Sequence, residues 1–150
     1  KKCEKKHALL KWAVKTGDVA KLDELYQGGA SLEQPCFGID RGVVFGTAER
    51  GHVEMMRYLC DHGADVFTGN SKDGVTPCCM AASNGHEGVI RVLYEYGADI
   101  EQPDNEGYTP CCVAAQEGHT NVVRCLADLG ADVNTPDSES GSVFWSWCVL

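Results

Sequence analysis

The chain has 150 residues, a hydrophobic fraction of 43% and a formal net charge of −9 at pH 7. No stretch approaches the roughly 18 consecutive apolar residues that a membrane-spanning helix requires, so no transmembrane segment is expected. The negative charge would repel a phosphate backbone, which argues against general nucleic-acid binding.

The chain opens with the basic cluster KKCEKKHALLK. A cluster of this kind could contact an acidic partner or a membrane surface. The repeats described below indicate a stacked array, and the terminal unit of such an array also needs a polar outer face. We therefore interpret the cluster as a polar terminal cap.

Landmarks centred on glycine recur through the first half of the chain. The landmark Gly-Asp at 17–18 precedes Gly-Ala-Ser at 29–31, and Gly-His at 51–52 precedes Gly-Ala-Asp at 63–65. Gly17, Gly51 and Gly85 stand at equal steps along the chain. The same unit is therefore expected to start well before its clearest copies.

Those clearest copies occupy residues 76–108 and 109–141, which match position by position. A fixed period of this size, about 33 residues, indicates one supersecondary unit that stacks on itself and buries its apolar face against the next unit. We expect a single array over residues 1–150, with units at 1–41, 42–75, 76–108 and 109–141 and a partial unit at 142–150.

Each clear copy predicts two helices. Its Thr-Pro pair opens the first, because threonine can accept a hydrogen bond from a free amide and proline at the first position already has a helical φ. A glycine ends each helix, since glycine takes the left-handed conformation at little cost. The pattern predicts helices near 77–83, 87–95, 110–116 and 120–128.

The residues T-P, A-A, G-H, V-V or V-I and G-A-D at fixed positions resemble the ankyrin repeat over about residues 8–150. The match is most specific at 76–141, whereas Ala-Leu at 8–9 and Gly-Val at 42–43 stand where Thr-Pro belongs. The resemblance implies an all-α solenoid of stacked antiparallel helix pairs. It also implies β-turn fingers that project from one edge and form a concave face with the first helices.

The resemblance assigns partner contacts to the finger tips and to the exposed side of the first helices. The residues at these positions are Phe37, Ile39, Asp40, Arg41, Glu49, Arg50, Lys72, Asp73, Val75, Ser83, Asn84, Pro103, Asn105, Glu106, Tyr108, Gln116 and Glu117. The aromatic and arginine members Phe37, Arg41 and Tyr108 would carry most of the binding energy if a partner covers them.

The charge is distributed unevenly along the chain. Residues 1–34 hold seven lysines against five acids, whereas residues 104–150 hold Arg124 against seven acids. A partner with a basic surface is therefore expected at the acidic end. The alternative is that these charges only keep the surface solvated.

The chain contains nine cysteines. Equivalent positions in neighbouring units lie about 8–10 Å apart, whereas a disulfide needs Cα atoms within about 7 Å. Cys78 should therefore not bridge Cys111, nor Cys79 Cys112. We expect reduced, mostly buried thiols, and hence the cytoplasm or another reducing intracellular compartment.

No catalytic or metal-binding pattern is found. Zinc sites usually bring cysteines in as C-x₂₋₄-C, whereas adjacent cysteines on a helix point about 100° apart. The adjacent pairs stand where the family has Leu-His, whose histidine ties the turn by hydrogen bonding; a thiol is a weaker partner. His52, His86 and His119 each follow a glycine, which indicates an architectural role. We expect no cofactor, no metal and no small-molecule substrate.

The apolar tail at 143–150 is too rich in large side chains for half a unit to bury. Either the native chain supplies the missing second helix or the tail docks on another subunit. For the whole chain we expect a non-catalytic protein–protein interaction or scaffold module. The alternatives are a regulatory or targeting segment of a larger enzyme and a structural subunit within a large assembly.

Overall fold

A computed structural model describes residues 2–33 and 42–133, except for the side chains of residues 2–5. These ranges contain helices and loops but no strand. The helices are α1 (Lys2–Thr16), α2 (Val19–Gln27), α3 (Val43–Arg50), α4 (Val53–Asp61), α5 (Pro77–Ser83), α6 (Glu87–Glu95), α7 (Pro110–Gln116) and α8 (Thr120–Asp128). The all-α prediction and the predicted bounds of the last four helices are confirmed. The partial unit at 142–150 lies outside the described residues.

Local capping explains where α5 and α7 begin. The hydroxyl of Thr76 accepts a hydrogen bond from the amide of Cys79 at 3.1 Å, and Thr109 repeats the bond with Cys112 at 3.3 Å. In both helices a proline occupies the first turn. The Thr-Pro signal therefore acts through the cap and through the fixed φ of proline.

The helices form two layers. In the first layer, α1, α3, α5 and α7 contact one another in sequence, and in the second layer α2, α4, α6 and α8 do the same. Each helix also contacts its partner in the other layer. A leucine of each second-layer helix is buried at the equivalent position, and these are Leu25, Leu59, Leu93 and Leu126.

A histidine links each of the last two described units to the unit before it. Nε2 of His86 lies 3.0 Å from the carbonyl oxygen of Glu49, and Nε2 of His119 lies 3.0 Å from that of Ser83. A carbonyl oxygen only accepts, so both rings donate from Nε2. His52 lies against Gly17 in the same way, but its buried Nε2 has no partner among the described atoms. The histidines are therefore architectural, as the sequence indicates.

Tyrosines link neighbouring helices of the second layer. The hydroxyl of Tyr58 donates to Asp23 at 2.7 Å, and that of Tyr96 donates to Asp61. Burial raises the pKa of Tyr58 to about 12, and the hydrogen bond to Asp23 acts in the same direction. The neutral phenol is the form that donates, so this link is present at neutral pH.

The adjacent cysteines are buried in the array, and Cys78 and Cys111 pack in its core. Cys78 and Cys79 are each 2% exposed, and Cys111 and Cys112 are each 6% exposed, which confirms their predicted burial. The thiol of Cys79 also donates to the carbonyl oxygen of Gln102 at 3.8 Å, so it makes a turn contact of its own. Every cysteine whose side chain is described is a free thiol.

We expect these thiols to react slowly in the folded protein. Burial raises the pKa of Cys78 and Cys79, and it raises the pKa of Cys60 to about 11. At pH 8 roughly a thousandth of a thiol with that pKa is ionised, and the thiolate is the reactive form.

The measurement is labelling with a thiol reagent, followed by peptide mapping of each cysteine in the native and the urea-unfolded protein. Complete native labelling of Cys78 and Cys79 within minutes would contradict the burial argument. The unfolded sample controls for the intrinsic reactivity of each site.

Candidate protein-binding surface

Two described loops between units form fingers, which we number by the unit whose first helix they lead into. Finger three is the loop 65–75 that leads into α5, and finger four is the loop 99–109 that leads into α7. In finger three the amide of Asn70 donates to the carbonyl oxygen of Val75 at 2.9 Å. In finger four the amide of Asp104 donates to the carbonyl oxygen of Tyr108 at 3.0 Å. Each finger is therefore closed by its own backbone.

Side-chain carboxylates hold the finger backbones in shape. The carboxylate of Asp104 accepts from the amides of Glu106 at 3.0 Å and Tyr108 at 2.9 Å. The carboxylate of Asp65 accepts from the amides of Phe67 at 2.9 Å and Thr68 at 3.0 Å. A hydrogen bond from the Thr68 side chain, supported by these amides, lowers the pKa of Asp65. These acids are therefore structural as well as charged.

The tips of the two fingers contact each other. The amide of Asn105 donates to the carbonyl oxygen of Asp73 at 3.0 Å, and its side-chain amide donates to that of Lys72 at 3.4 Å. Gly74 has a φ of +67°, and a Cβ there would lie within 2.9 Å of the side chain and backbone of Asn105. These contacts join the two tips into one continuous surface.

The structure describes thirteen of the seventeen residues assigned to partner contact. Of these, Asn84 and Pro103 are exposed, whereas Glu49, Arg50 and Ser83 at the ends of α3 and α5 are half-buried. Lys72, Asp73, Asn105 and Glu106 are exposed on the finger tips, and Val75 and Tyr108 are half-buried where the fingers enter the helices. Gln116 and Glu117 are exposed at the far end of α7, about 10 Å from its start by helical rise. Phe37, Ile39 and Arg41 lie outside the described residues, together with Asp40.

The edge formed by the described loops between units is strongly acidic. Over 31–33, 65–75, 99–109 and 131–133, Lys72 is the one basic residue against eight carboxylates, which are Glu33, Asp65, Asp73, Asp99, Glu101, Asp104, Glu106 and Asp132. Because the units stack, Asp65, Asp99 and Asp132, which share one repeat position, follow one another along this edge. We call the eight carboxylates with their loops the acidic edge.

Sequence reasoning missed three exposed apolar residues. Phe67 is 50% exposed in finger three, at the position that Glu33 and Glu101 occupy in the neighbouring loops. Leu9 and Trp12 are exposed on α1, within and just after the basic cluster that we interpreted as a polar cap. The cap interpretation is therefore incomplete. An aligned comparison of exposed repeat positions would have indicated all three.

The described residues offer little for catalysis or metal binding. Among them, no group of three or more His, Cys, Asp or Glu side chains is arranged to hold a metal ion. Burial raises the pKa of Cys78 and Cys79 and so opposes their use as nucleophiles. None of the helices in the described ranges is long and apolar enough to cross a bilayer.

The regions of curated proteins that match this sequence belong to much longer chains. The chain is 34% identical over 102 residues to diacylglycerol kinase iota of Rattus norvegicus and to that of Mus musculus, which covers 67% of this chain and 10% of either kinase. It is 38% identical over 74 residues to potassium channel AKT3 of Oryza sativa subsp. japonica, which covers 49% of this chain and 8% of that protein. The chain thus spans about a tenth of the length of these relatives.

A family model described as ankyrin repeats (3 copies) matches residues 10–104 and 47–137. The matched residues include the helix pairs, both fingers and the linking histidines described above. Because the match covers well over half of the chain, the chain belongs to the ankyrin-repeat family.

Proposed function

We propose that this chain is a non-catalytic module that binds a partner protein with a basic surface along the acidic edge. Ankyrin repeats bind other proteins and are not catalytic. The observation that carries the finer proposal is the excess of eight carboxylates over Lys72 on this edge. Complementary charge of this kind speeds association and excludes partners of the wrong sign.

The contact between the finger tips supports the same proposal. Asn105 fixes the relative positions of Lys72 and Asp73, so a partner that spans both fingers meets a surface that is already ordered. Binding to an ordered surface loses less conformational entropy than binding to separate loops. An ordinary interface buries about 800 Å² on each partner, which two or three adjacent fingers could supply.

Charge reversal tests the proposal. Asp73→Lys/Glu106→Lys should weaken partner capture at least about tenfold, because both residues are exposed on the acidic edge. The matched control is Glu54→Lys/Asp128→Lys, which changes the net charge equally on exposed second-layer positions. The measurement is quantitative mass spectrometry of captured proteins at low and physiological salt.

The expected partners are retained by the wild type and by the control variant, are lost from the Asp73/Glu106 variant, and are captured in smaller amounts as the salt concentration rises. Equal loss from both variants would mean that overall charge, rather than this edge, determines capture. Loss from the control variant alone would assign binding to the second layer and would reject the edge.

A second candidate is a regulatory or targeting segment of a larger enzyme. The observation that favours it is the likeness to diacylglycerol kinase iota, of which the matched region is 10%. Sequencing the complete transcript tests it, because a catalytic domain in the same open reading frame is the expected result. A complete reading frame without such a domain would reject this candidate.

We also propose that the chain works in the cytoplasm or another reducing intracellular compartment. Free, buried thiols support this, because an oxidising compartment would expose them to pairing during folding. Fluorescence microscopy of the tagged full-length protein, with fractionation as a second measurement, tests the proposal. A secreted, disulfide-linked product would overturn it.

A further inference from the structure

Helix α1 carries an apolar surface that the described part of the array leaves exposed. Leu9 is 40% exposed and Trp12 is 50% exposed, and residues three apart lie on neighbouring parts of a helix surface. On the other side of α1, Leu10, Ala13 and Val14 are fully buried in the core. The core contacts of this helix are therefore complete without Leu9 and Trp12.

The other units do not repeat this exposure. The positions equivalent to Leu9 are Val43, Pro77 and Pro110, and all three are buried. In those units the first helix starts at that position, whereas α1 begins well before it, at Lys2. The surface is thus a property of this helix and not of the repeat.

The second aligned position gives the same result. The residues equivalent to Trp12 are Gly46, which is buried, and Met80 and Val113, which are half-buried. The largest side chain of the set therefore occupies the most exposed place. Tryptophan offers a large contact area at low conformational cost, and it is enriched among residues that dominate binding energies.

The charges around this surface are positive. Lys11 and Lys15 are exposed on the same free side of α1, and the stretch from Lys5 to Gly17 contains no acidic residue. The acids that border this stretch are Glu4 and Asp18, and the carboxylate of Asp18 accepts from the amide of Lys21 as the cap of α2. An acidic segment with a large apolar side chain complements both features.

We propose that the free side of α1, centred on Leu9 and Trp12 and flanked by Lys11 and Lys15, binds an acidic, apolar-containing peptide segment of a partner protein. This goes beyond the proposed function, because it names a second surface, on α1, and an acidic partner, whereas the partner proposed for the acidic edge is basic. A short protein segment fits better than an anionic membrane, since an extended anionic surface would repel a chain with a net charge of −9, whereas a segment meets only the local positive charge.

Selection from a random library tests the proposal without assuming a partner. Phage-displayed random peptides are selected on the wild-type chain and counter-selected on Leu9→Ala/Trp12→Ala. The enriched peptides should combine Asp or Glu with large apolar residues. Enrichment of Lys- or Arg-rich peptides, or no enrichment after counter-selection, would overturn the proposal.

Fluorescence anisotropy then measures the dissociation constant of the best peptide. Trp12→Ala should raise it about tenfold or more, as expected for loss of a central aromatic contact. The matched control is Tyr94→Ala, which removes an aromatic residue of 44% exposure from α6, outside both proposed surfaces, and should change the dissociation constant less than twofold. Circular dichroism checks that both variants stay folded, and an equal effect of both would overturn the proposal.

Two further measurements separate other occupants of this surface. Mixed vesicles of phosphatidylcholine and phosphatidylserine test for a membrane, and sedimentation equilibrium tests for a second copy of the chain. The proposal expects neither vesicle binding nor dimerisation that depends on Trp12. Trp12-dependent vesicle binding or dimerisation, without a selected acidic peptide, would replace the proposed partner.

Discussion

Leu59→Ala and Leu93→Ala should each lower the free energy of unfolding by about 2–5 kcal/mol. Both leucines are 0% exposed, and they occupy equivalent positions on α4 and α6. Truncation removes buried methyl groups and leaves a cavity between packed helices. Because α4 contacts α2 and α6 within its layer, a cavity there weakens two interfaces of the array.

Leu25→Ala is the matched control, since Leu25 occupies the same repeat position on α2, in the first described unit. It is 8% exposed, and α2 contacts only one neighbour, α4, within its layer among the described helices. Urea denaturation followed by circular dichroism should show a smaller loss for Leu25→Ala than for either interior variant. Equal losses at all three positions would contradict the argument that stability is summed over neighbouring interfaces.

The sequence predicts the second half of this fold closely, for local reasons. Thr76 and Thr109 cap α5 and α7 through their own hydroxyls, and the adjacent prolines fix the first turn. These signals lie within a few residues of the helix that they start. In the first half, Gly42 stands at the start of α3 without a side-chain cap, so the local signal is weaker there.

The candidate surface is less predictable, because it depends on how neighbouring units pack. The exposure of Lys72 and Asp73 follows from their position in a turn. Their contact with Asn105, which belongs to the next finger along the chain, follows only from the distance between stacked fingers. Phe67 and Trp12 were missed because sequence analysis assigns apolar residues to the core, and only the packing of the units shows which of them stay exposed.

Gly51→Ala should lower the free energy of unfolding by about 2–5 kcal/mol, more than Gly63→Ala in the same unit. Gly51 has a φ of +74° and Gly63 a φ of +72°, so alanine meets similar left-handed strain at both, about 1–2 kcal/mol. A Cβ at Gly51 would also lie within 2.7 Å of three atoms of the His86 ring, whereas no described atom lies within 4 Å of a Cβ at Gly63.

The excess loss at Gly51 has two sources. Overpacking costs about 1–3 kcal/mol, and a displaced His86 loses its hydrogen bond to the carbonyl oxygen of Glu49. A double-mutant cycle separates these two histidine-dependent effects from the backbone strain, because His86→Ala removes the ring that the new Cβ would contact. In the His86→Ala background, Gly51→Ala should therefore cost no more than Gly63→Ala, as measured by urea denaturation. If Gly51→Ala costs as much without the ring as with it, backbone strain alone governs this position, and the close approach of the histidine does not explain why glycine stands there.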